Sequence, residues 1–366
     1  GGPLLDDFRR YVSTIRIGDD VKRQSYAKLF AKGGEVLHLG AVGAWAGRTI
    51  DKRGNASTKS FDLIYANSAA SLRLLDHKPG GPPVLLHMHE LQYVTEYSLA
   101  GQLQDLVRIP DRYIAVSESV LTMLTDDFGV DREQISVTTG CLPDSDAARE
   151  PRSQQLARVE LALDPDAAVV LGCGRLEWRK GFDTFLATAV RVSHLAPDQP
   201  IRWIWVGRSD DLQKRLAELE IARAGLKGTV VLIPEQSDPW PYFEGANLLL
   251  MSSREDPYPL VVLEAALAER PVVCQTGAGG AADFASRGAG IAVPYLDIDA
   301  LAEAVLEIIG NPGQANEMGR TGRQLVLNEH LVSHVAPAVL AALHRTRDES
   351  GTQSGSVLPR PPRDDG

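Results

Sequence analysis

Residues 252–265 of the chain read Ser252-Ser253-Arg254-Glu255-Asp256-Pro257-Tyr258-Pro259-Leu260-Val261-Val262-Leu263-Glu264-Ala265. An apolar run ends at about Ser252, a turn with two prolines follows, and Pro259 is a residue type favoured at a first helical position. A helix starting there leaves the N–H groups of Leu260 and Val261 without intrahelical partners. Together with the helix dipole they form an anion site of the kind that holds a diphosphate. Asp256 stands just before that site and Glu264 just inside the helix. Carboxylates do not bind phosphate, but they accept charge-assisted hydrogen bonds from sugar hydroxyls. A diphosphate site flanked by two carboxylates suits a nucleotide sugar. Asp and Glu are also favoured at helix starts for purely local reasons, so this segment alone leaves both readings open.

The same residues resemble the E-x7-E signature of family 4 glycosyltransferases, with Asp256 and Glu264 in the two acidic positions and Asp replacing the first Glu. The resemblance implies that Asp256 contacts the transferred sugar and Glu264 the nucleotide ribose. Pro259 stands where that family commonly has Gly, and a proline has no N–H to offer a ligand. A second stretch, Leu171-Gly172-Cys173-Gly174-Arg175-Leu176-Glu177-Trp178-Arg179-Lys180-Gly181-Phe182, follows the first strand of the second half, two strands from the acidic motif. It resembles the family's G-R-L-x-x-x-K-G segment, which implies that Arg175 and Lys180 clamp the diphosphate and neutralise the leaving group, with Gly174 beside the donor. Two cations can do what a divalent ion does in other transferases. Neither a metal nor a cofactor is expected, and the nucleoside-diphosphate sugar is a co-substrate. Arg179 reads as a solvated neighbour.

Other segments agree with the resemblance. Trp205-Val206-Gly207 matches a V-G turn, and Thr276-Gly277-Ala278-Gly279-Gly280 resembles a glycine loop near the donor sugar, bringing in Gly279 and Gly280. Turn-making explains such glycines equally well. The strand over residues 230–234 is expected to deliver backbone groups to the base. In Leu85-Leu86-His87-Met88-His89-Glu90 the family commonly places a His at the strand end facing acceptor and donor sugar, and His89 is the better match. His87 and His89 share a strand face, which invites a metal reading, but no third ligand has an evident position.

The elements that must position these residues follow from the alternation of short apolar runs with helix-period segments, the signature of βα units and parallel sheets. Strands are expected over residues 12–17, 61–66, 84–89, 113–117 and 135–139, then 168–172, 201–207, 230–234, 248–252 and 272–275. Helical segments include 182–193 and 210–224. The Pro- and Asp-containing stretch from Gly140 to about Ser153 reads as a hinge. The expected fold is α/β of GT-B type, two doubly wound Rossmann-like domains facing a cleft, since ligands lie outside the carboxyl ends of such strands. Residues 1–145 form the acceptor-side domain and 146–345 the nucleotide-sugar donor-binding domain. Residues 346–366, nearly devoid of apolar side chains, form a disordered tail. Gly1–Arg9 resembles a segment that follows the first strand and helix of such proteins, so the first domain is expected to lack its opening βα unit.

Composition narrows the partners. A net charge of -10 and a pI near 5.4 argue against nucleic acid. Three cysteines, Cys141, Cys173 and Cys274, are far apart and suit a reducing, cytoplasmic setting. The basic amphipathic stretch over residues 21–32 admits peripheral contact at the inner face of a membrane, although a solvated face over a core stripe is favoured. Nothing in the sequence sets an oligomeric state. The expected function is retaining transfer of a hexosyl group from a nucleoside-diphosphate sugar to a hydroxyl acceptor on a glycan, lipid or small molecule. The rivals are a non-catalytic nucleotide-sugar binding protein and a GT-B sugar-nucleotide epimerase.

Overall fold

The computed structural model describes residues 61–75, 81–99 and 102–350. In the first domain, β1 (Ile64–Ala66), β2 (Val84–Met88), β3 (Arg112–Ala115) and β4 (Ile135–Val137) lie side by side and parallel, in that order. In the second, β5 (Ala168–Cys173), β6 (Ile201–Val206), β7 (Val230–Ile233), β8 (Leu248–Met251), β9 (Val272–Gln275) and β10 (Gly290–Val293) form a parallel sheet of order β10-β9-β8-β5-β6-β7. Each strand expected within the described residues is present, with ends shifted by three residues or fewer. Strand β10 was not expected: it is a four-residue edge strand, mostly half-buried, and too short to show a period.

The second domain's strands read as unbroken apolar runs because both faces are covered. Alternate side chains feed two cores. Val169, Leu171, Ile204 and Val206 enter one, and Val170, Trp203, Trp205 and Leu250 enter the other. Helix α1 (Gln92–Leu99) follows β2 in the first domain. In the second, α2 (Phe182–Leu195) follows β5 and α3 (Asp211–Arg223) follows β6, the latter opened by an Asp210–Gln213 capping box. Helix α4 (Leu260–Leu267) follows β8, and α5 (Ile298–Gly310) and α6 (Pro312–Glu329) come later. Helices α2 and α5 cover the tryptophan face, where Phe185 meets Trp203 and Trp205 edge-on at 5.3 and 5.2 Å. Helices α4 and α6 cover the other face.

The expected hinge is one of two crossings. Leu142 pairs with Leu331 as a parallel bridge, its N–H donating to the His330 carbonyl at 2.8 Å while Val332 N–H donates to the Leu142 carbonyl at 3.0 Å. After this second crossing, α7 (Val332–Ser350) packs Val339, Ala342 and Leu343 on Leu85 and Ile114 of the first sheet. Val339, Ala342 and Leu343, assigned by sequence to the donor domain, therefore pack on the acceptor-side sheet. Residues 346–350, expected in the tail, continue α7, and Thr346 is buried. The polar composition misled there because one helical face suffices to dock. The hinge itself is fastened by charge: Arg152 holds the buried Glu244 carboxylate through Nε at 2.9 Å and Nη2 at 2.6 Å.

Residues 1–60 and 351–366, with the expectations placed on them, lie outside the described residues. Among the described residues no helix is long and apolar enough to cross a membrane.

Candidate active site

Strands β5 and β8, far apart in sequence, are hydrogen-bonded neighbours, with Val170 opposite Leu248 and Leu171 opposite Leu249. The two motifs are thus closer than the sequence suggested. Winding reverses at this pair, since β6 and β7 lie on one side and β9 and β10 on the other. A crevice opens outside the carboxyl ends at such a switch point. The chain leaving β5 turns through Trp178–Lys180 and closes on Gly181, which has φ +68° and lies so near Ser252 that a Cβ would sit 2.0 Å from its carbonyl oxygen. That contact locks the loop after β5 onto the loop after β8.

The result is a compact ion network. Lys180 Nζ pairs with Asp256 Oδ2. Arg179, expected in solvent, is only 6% exposed. Its Nη1 donates to the Glu255 carbonyl at 2.9 Å and lies 3.7 Å from Asp256 Oδ1, while Nη2 lies 3.3 Å from Glu177 Oε1. Arg175 Nε is 4.0 Å from the other Glu177 oxygen. Loop residues show neither helical nor strand periodicity, so no sequence pattern distinguishes the inward arginine from an outward one.

Asp256 is 8% exposed and is held through its backbone as well. Its N–H donates to the Ala278 carbonyl at 2.6 Å, and Gly279, φ +131°, approaches so closely that a Cβ would be 1.7 Å from the Asp256 carbonyl oxygen. Gly280 N–H donates to the Pro257 carbonyl at 3.1 Å. The glycine loop therefore braces the acidic loop. Gly174 is braced similarly, its carbonyl accepting from Trp205 Nε1 at 2.9 Å. Helix α4 has Pro259 as its N-cap, one place before the first helical position expected for it, with no side-chain cap, and Leu260 and Val261 open the helix.

Glu264 is separate from this network. Its carboxyl lines a pocket of about 160 Å³ with Asp146, Arg149, Asp238, Trp240 and Phe243. Arg149 is itself paired to Asp238 at 3.1 Å and lies over the Trp240 ring at 5.2 Å. Burial, reinforced by Asp146 and opposed by Arg149, pushes Glu264 up to about 7. Cys173, at the end of β5, feels both sites: burial raises its thiol to about 12, with Glu264 adding and Lys180 opposing.

Across the cleft, His89 follows β2. Its Nε2 lies 3.1 Å from Asn67 Oδ1, which also accepts from Tyr65 Oη at 3.0 Å, and Tyr65 Oη lies 2.5 Å from His87 Nδ1. With that amide orientation, Asn67 Oδ1 accepts from His89 Nε2–H and the Tyr65 hydroxyl, and His87 Nδ1–H donates to Tyr65. Burial lowers His89 to about 4, so the ring is neutral at pH 7. The two imidazoles lie close and tilted, with centroids 4.1 Å apart and planes at 37°. Glu90 does not join them. It is buried and accepts from Ser68 Oγ at 2.5 Å and from the backbone at Ala69 and His89. Among the described residues no group of three or more His, Cys, Asp or Glu side chains is placed to hold a metal ion. The domains also clasp beside Asp256. Glu255 accepts from Tyr93 N–H, at the start of α1, at 3.0 and 2.9 Å, and the Tyr93 ring lies 4.6 Å from that of Trp178.

Residues 167–311, which span β5 to the end of α5, match the family model described as Glycosyl transferases group 1. A D-inositol 3-phosphate glycosyltransferase of Gordonia bronchialis is 26% identical over 307 residues, covering 78% of this chain and 66% of that protein. Sucrose-phosphate synthase of Thermosynechococcus elongatus superposes with TM-score 0.65 at 22% identity, over 80% of this chain and 75% of that one. HepE of Anabaena, solved with UDP, gives 0.67 at 20% identity, over 79% and 80%. The two-domain fold is that of the GT-B glycosyltransferases, and residues 167–311 match a glycosyltransferase family model. The chain spans about half to two thirds of the length of the curated relatives it matches. The matched region contains Arg175, Lys180, Asp256, Glu264 and the glycine loop, while His89 and the Tyr93 contact lie outside it.

Proposed function

We propose that the protein transfers a hexosyl group from a nucleoside-diphosphate sugar to a hydroxyl acceptor, with retention at the anomeric carbon and without a metal ion. The observation that carries this reading is the meeting of Lys180 and Asp256 beside the α4 N-terminus, at the switch point between β5 and β8. Lys180, Arg175 and the amides of Leu260 and Val261 would hold the diphosphate, with Gly174 close by. Asp256 would accept from the sugar hydroxyls, supported by Gly279 and Gly280, and Glu264 from the ribose. A pocket of about 290 Å³ beyond β6 and β7, lined by Gly207, Arg208, Pro234 and Glu235, suits the base. His89, being neutral, would serve as a hydrogen-bonding group toward the sugars and not as a cation.

In this reading the bond from the anomeric carbon to the diphosphate oxygen breaks as the acceptor oxygen bonds to the same face, and the leaving oxygen takes the acceptor proton. Negative charge grows on the diphosphate, so the cations and helix amides act where stabilisation matters most. UDP and UDP-glucose, named with HepE structures, are the first donors to test, and a polyol phosphate is a first acceptor, given the inositol phosphate relative. Transfer assayed across several nucleotide sugars in excess EDTA tests the proposal. Product with the donor's anomeric configuration is expected. Loss of activity restored only by manganese or magnesium would overturn the metal-free mechanism, and donor-to-donor conversion without acceptor would reassign the site to an epimerase.

A further inference from the structure

Lys180 cannot hold the diphosphate and keep its ion pair with Asp256 unchanged, so donor binding must redistribute charge around that acid. The side chain of Lys180 is 16% exposed and ends in a compact ammonium on a flexible stem, which suits it to swing toward an arriving anion. Arg179 is placed differently. Its side chain is 6% exposed, its planar fork is engaged on the Glu255 carbonyl and on Glu177, and its own carbonyl accepts from Arg254 N–H at 2.8 Å. The buried Nε–H finds no protein partner, so the fold holds this guanidinium here at a cost in hydrogen bonding. We infer that Arg179 is the positioning residue that keeps Asp256 aimed at the donor sugar after Lys180 has turned to the diphosphate.

The inference rests on the donor-site reading above. The physical reason is charge balance. A carboxylate as buried as Asp256, facing a diphosphate with its lysine withdrawn, would be driven away from the sugar unless a second cation remained. Arg179 Nη1 donates to the Glu255 carbonyl, fixing the peptide that leads into Asp256, and lies 3.7 Å from Asp256 Oδ1, leaving a positive charge beside that carboxylate. Arg179 need not touch the donor to do this.

The test compares wild type, Arg179→Gln and Arg179→Lys for binding of free UDP or GDP and of the matching nucleotide sugar by calorimetry, and for steady-state transfer. Arg179→Gln should keep free-nucleotide affinity within about twofold. Its turnover should fall by about tenfold to a hundredfold, the scale of a misplaced reacting group. Arg179→Lys, which retains the charge without the fork, should recover part of that loss. In an Asp256→Asn background, Arg179→Gln should add little, because the residue it positions is already altered. Equal losses of free-nucleotide and nucleotide-sugar affinity would overturn the inference, as would unchanged turnover, full additivity with Asp256→Asn, or no gain from Lys over Gln. Should Arg179→Gln not fold, Arg179→Lys carries the same comparison, with the split smaller in size. If wild type binds no nucleoside diphosphate at all, the donor-site reading itself fails and the positioning role with it.

Discussion

Asp256 and Glu264 stand one helix turn either side of the α4 start, yet their surroundings differ in sign. Asp256 is met by Lys180 and, farther off, by Arg179, whereas Glu264 faces Asp146 and Asp238 and an arginine already paired elsewhere. Both are largely buried, so burial alone does not separate them; the cations do. One acid is satisfied before any ligand arrives, and a donor must exchange into its ion pair. The other is held near its protonation midpoint at neutral pH, and hydroxyl donors from a ribose would favour its charged form. Identical motif chemistry can therefore be prepared in two ways by the neighbours that the tertiary fold supplies.

The sharpest attempt to break this contrast removes the cations. Lys180→Ala or Arg175→Ala should cost about 2–4 kcal/mol of transition-state stabilisation, the scale for loss of one electrostatic donor, with the fold intact. Wild-type turnover at both low and saturating donor in either variant would show that the diphosphate is held elsewhere.

On the other acid, Glu264→Gln should weaken nucleoside-diphosphate binding by about 1.5–3 kcal/mol at pH 8, the scale of a hydrogen bond to a charged group. That deficit should shrink as the pH falls through about 7, where the wild-type carboxyl takes up its proton. Calorimetry at pH 6 and pH 8 reads this directly, and a pH-independent deficit would contradict the assignment.

Stability without ligand should move in opposite directions at the two acids. Glu264 is raised in the folded state above its ordinary value of 4.5, so its contribution is fully present below that value and lost as the pH climbs through about 7. A glutamine cannot ionise. Glu264→Gln should then be the more stable protein at pH 8, by on the order of 1–3 kcal/mol, and the advantage should fade toward pH 5. Asp256→Asn should instead destabilise by about 1–3 kcal/mol, because it leaves buried cationic groups without their carboxylate. Thermal melts of the two variants at both pH values would reveal the opposed signs or their absence.

The smallest effect lies at the domain clasp. Glu255→Gln removes an anion from the start of α1 and should cost about 0.3–1 kcal/mol, less at high salt. A salt titration of the melting temperature, wild type against variant, checks it. No change at low salt would mean that the contact is not maintained in solution.

Much of this architecture was legible from residues 168–275, where continuous apolar runs could only be strands covered on both faces, and the βα rhythm implied a parallel sheet. The pairing of a basic loop with an acidic one was legible too, because each follows a strand whose carboxyl end must open on the crevice. Strand β10 and the docking of α7 were not. A four-residue edge strand has no measurable period, and the face of α7 that meets Leu85 and Ile114 is a property of a long-range contact.

By itself the sequence determined which side chains can meet an anion or a sugar hydroxyl, since residue type sets charge and hydrogen-bonding capacity, and local pattern sets the element that carries it. Only the tertiary structure decided which of those groups is already neutralised. Arg179 and Lys180 are adjacent in the chain and chemically alike, but the Gly181–Ser252 contact turns the loop so that the arginine is buried beneath Glu255 and Asp256. Glu264 acquires Asp146 and Arg149 from a crossing segment more than a hundred residues away along the chain. Electrostatic environment depends on distance through space and on exclusion of water, and neither quantity is written in local spacing.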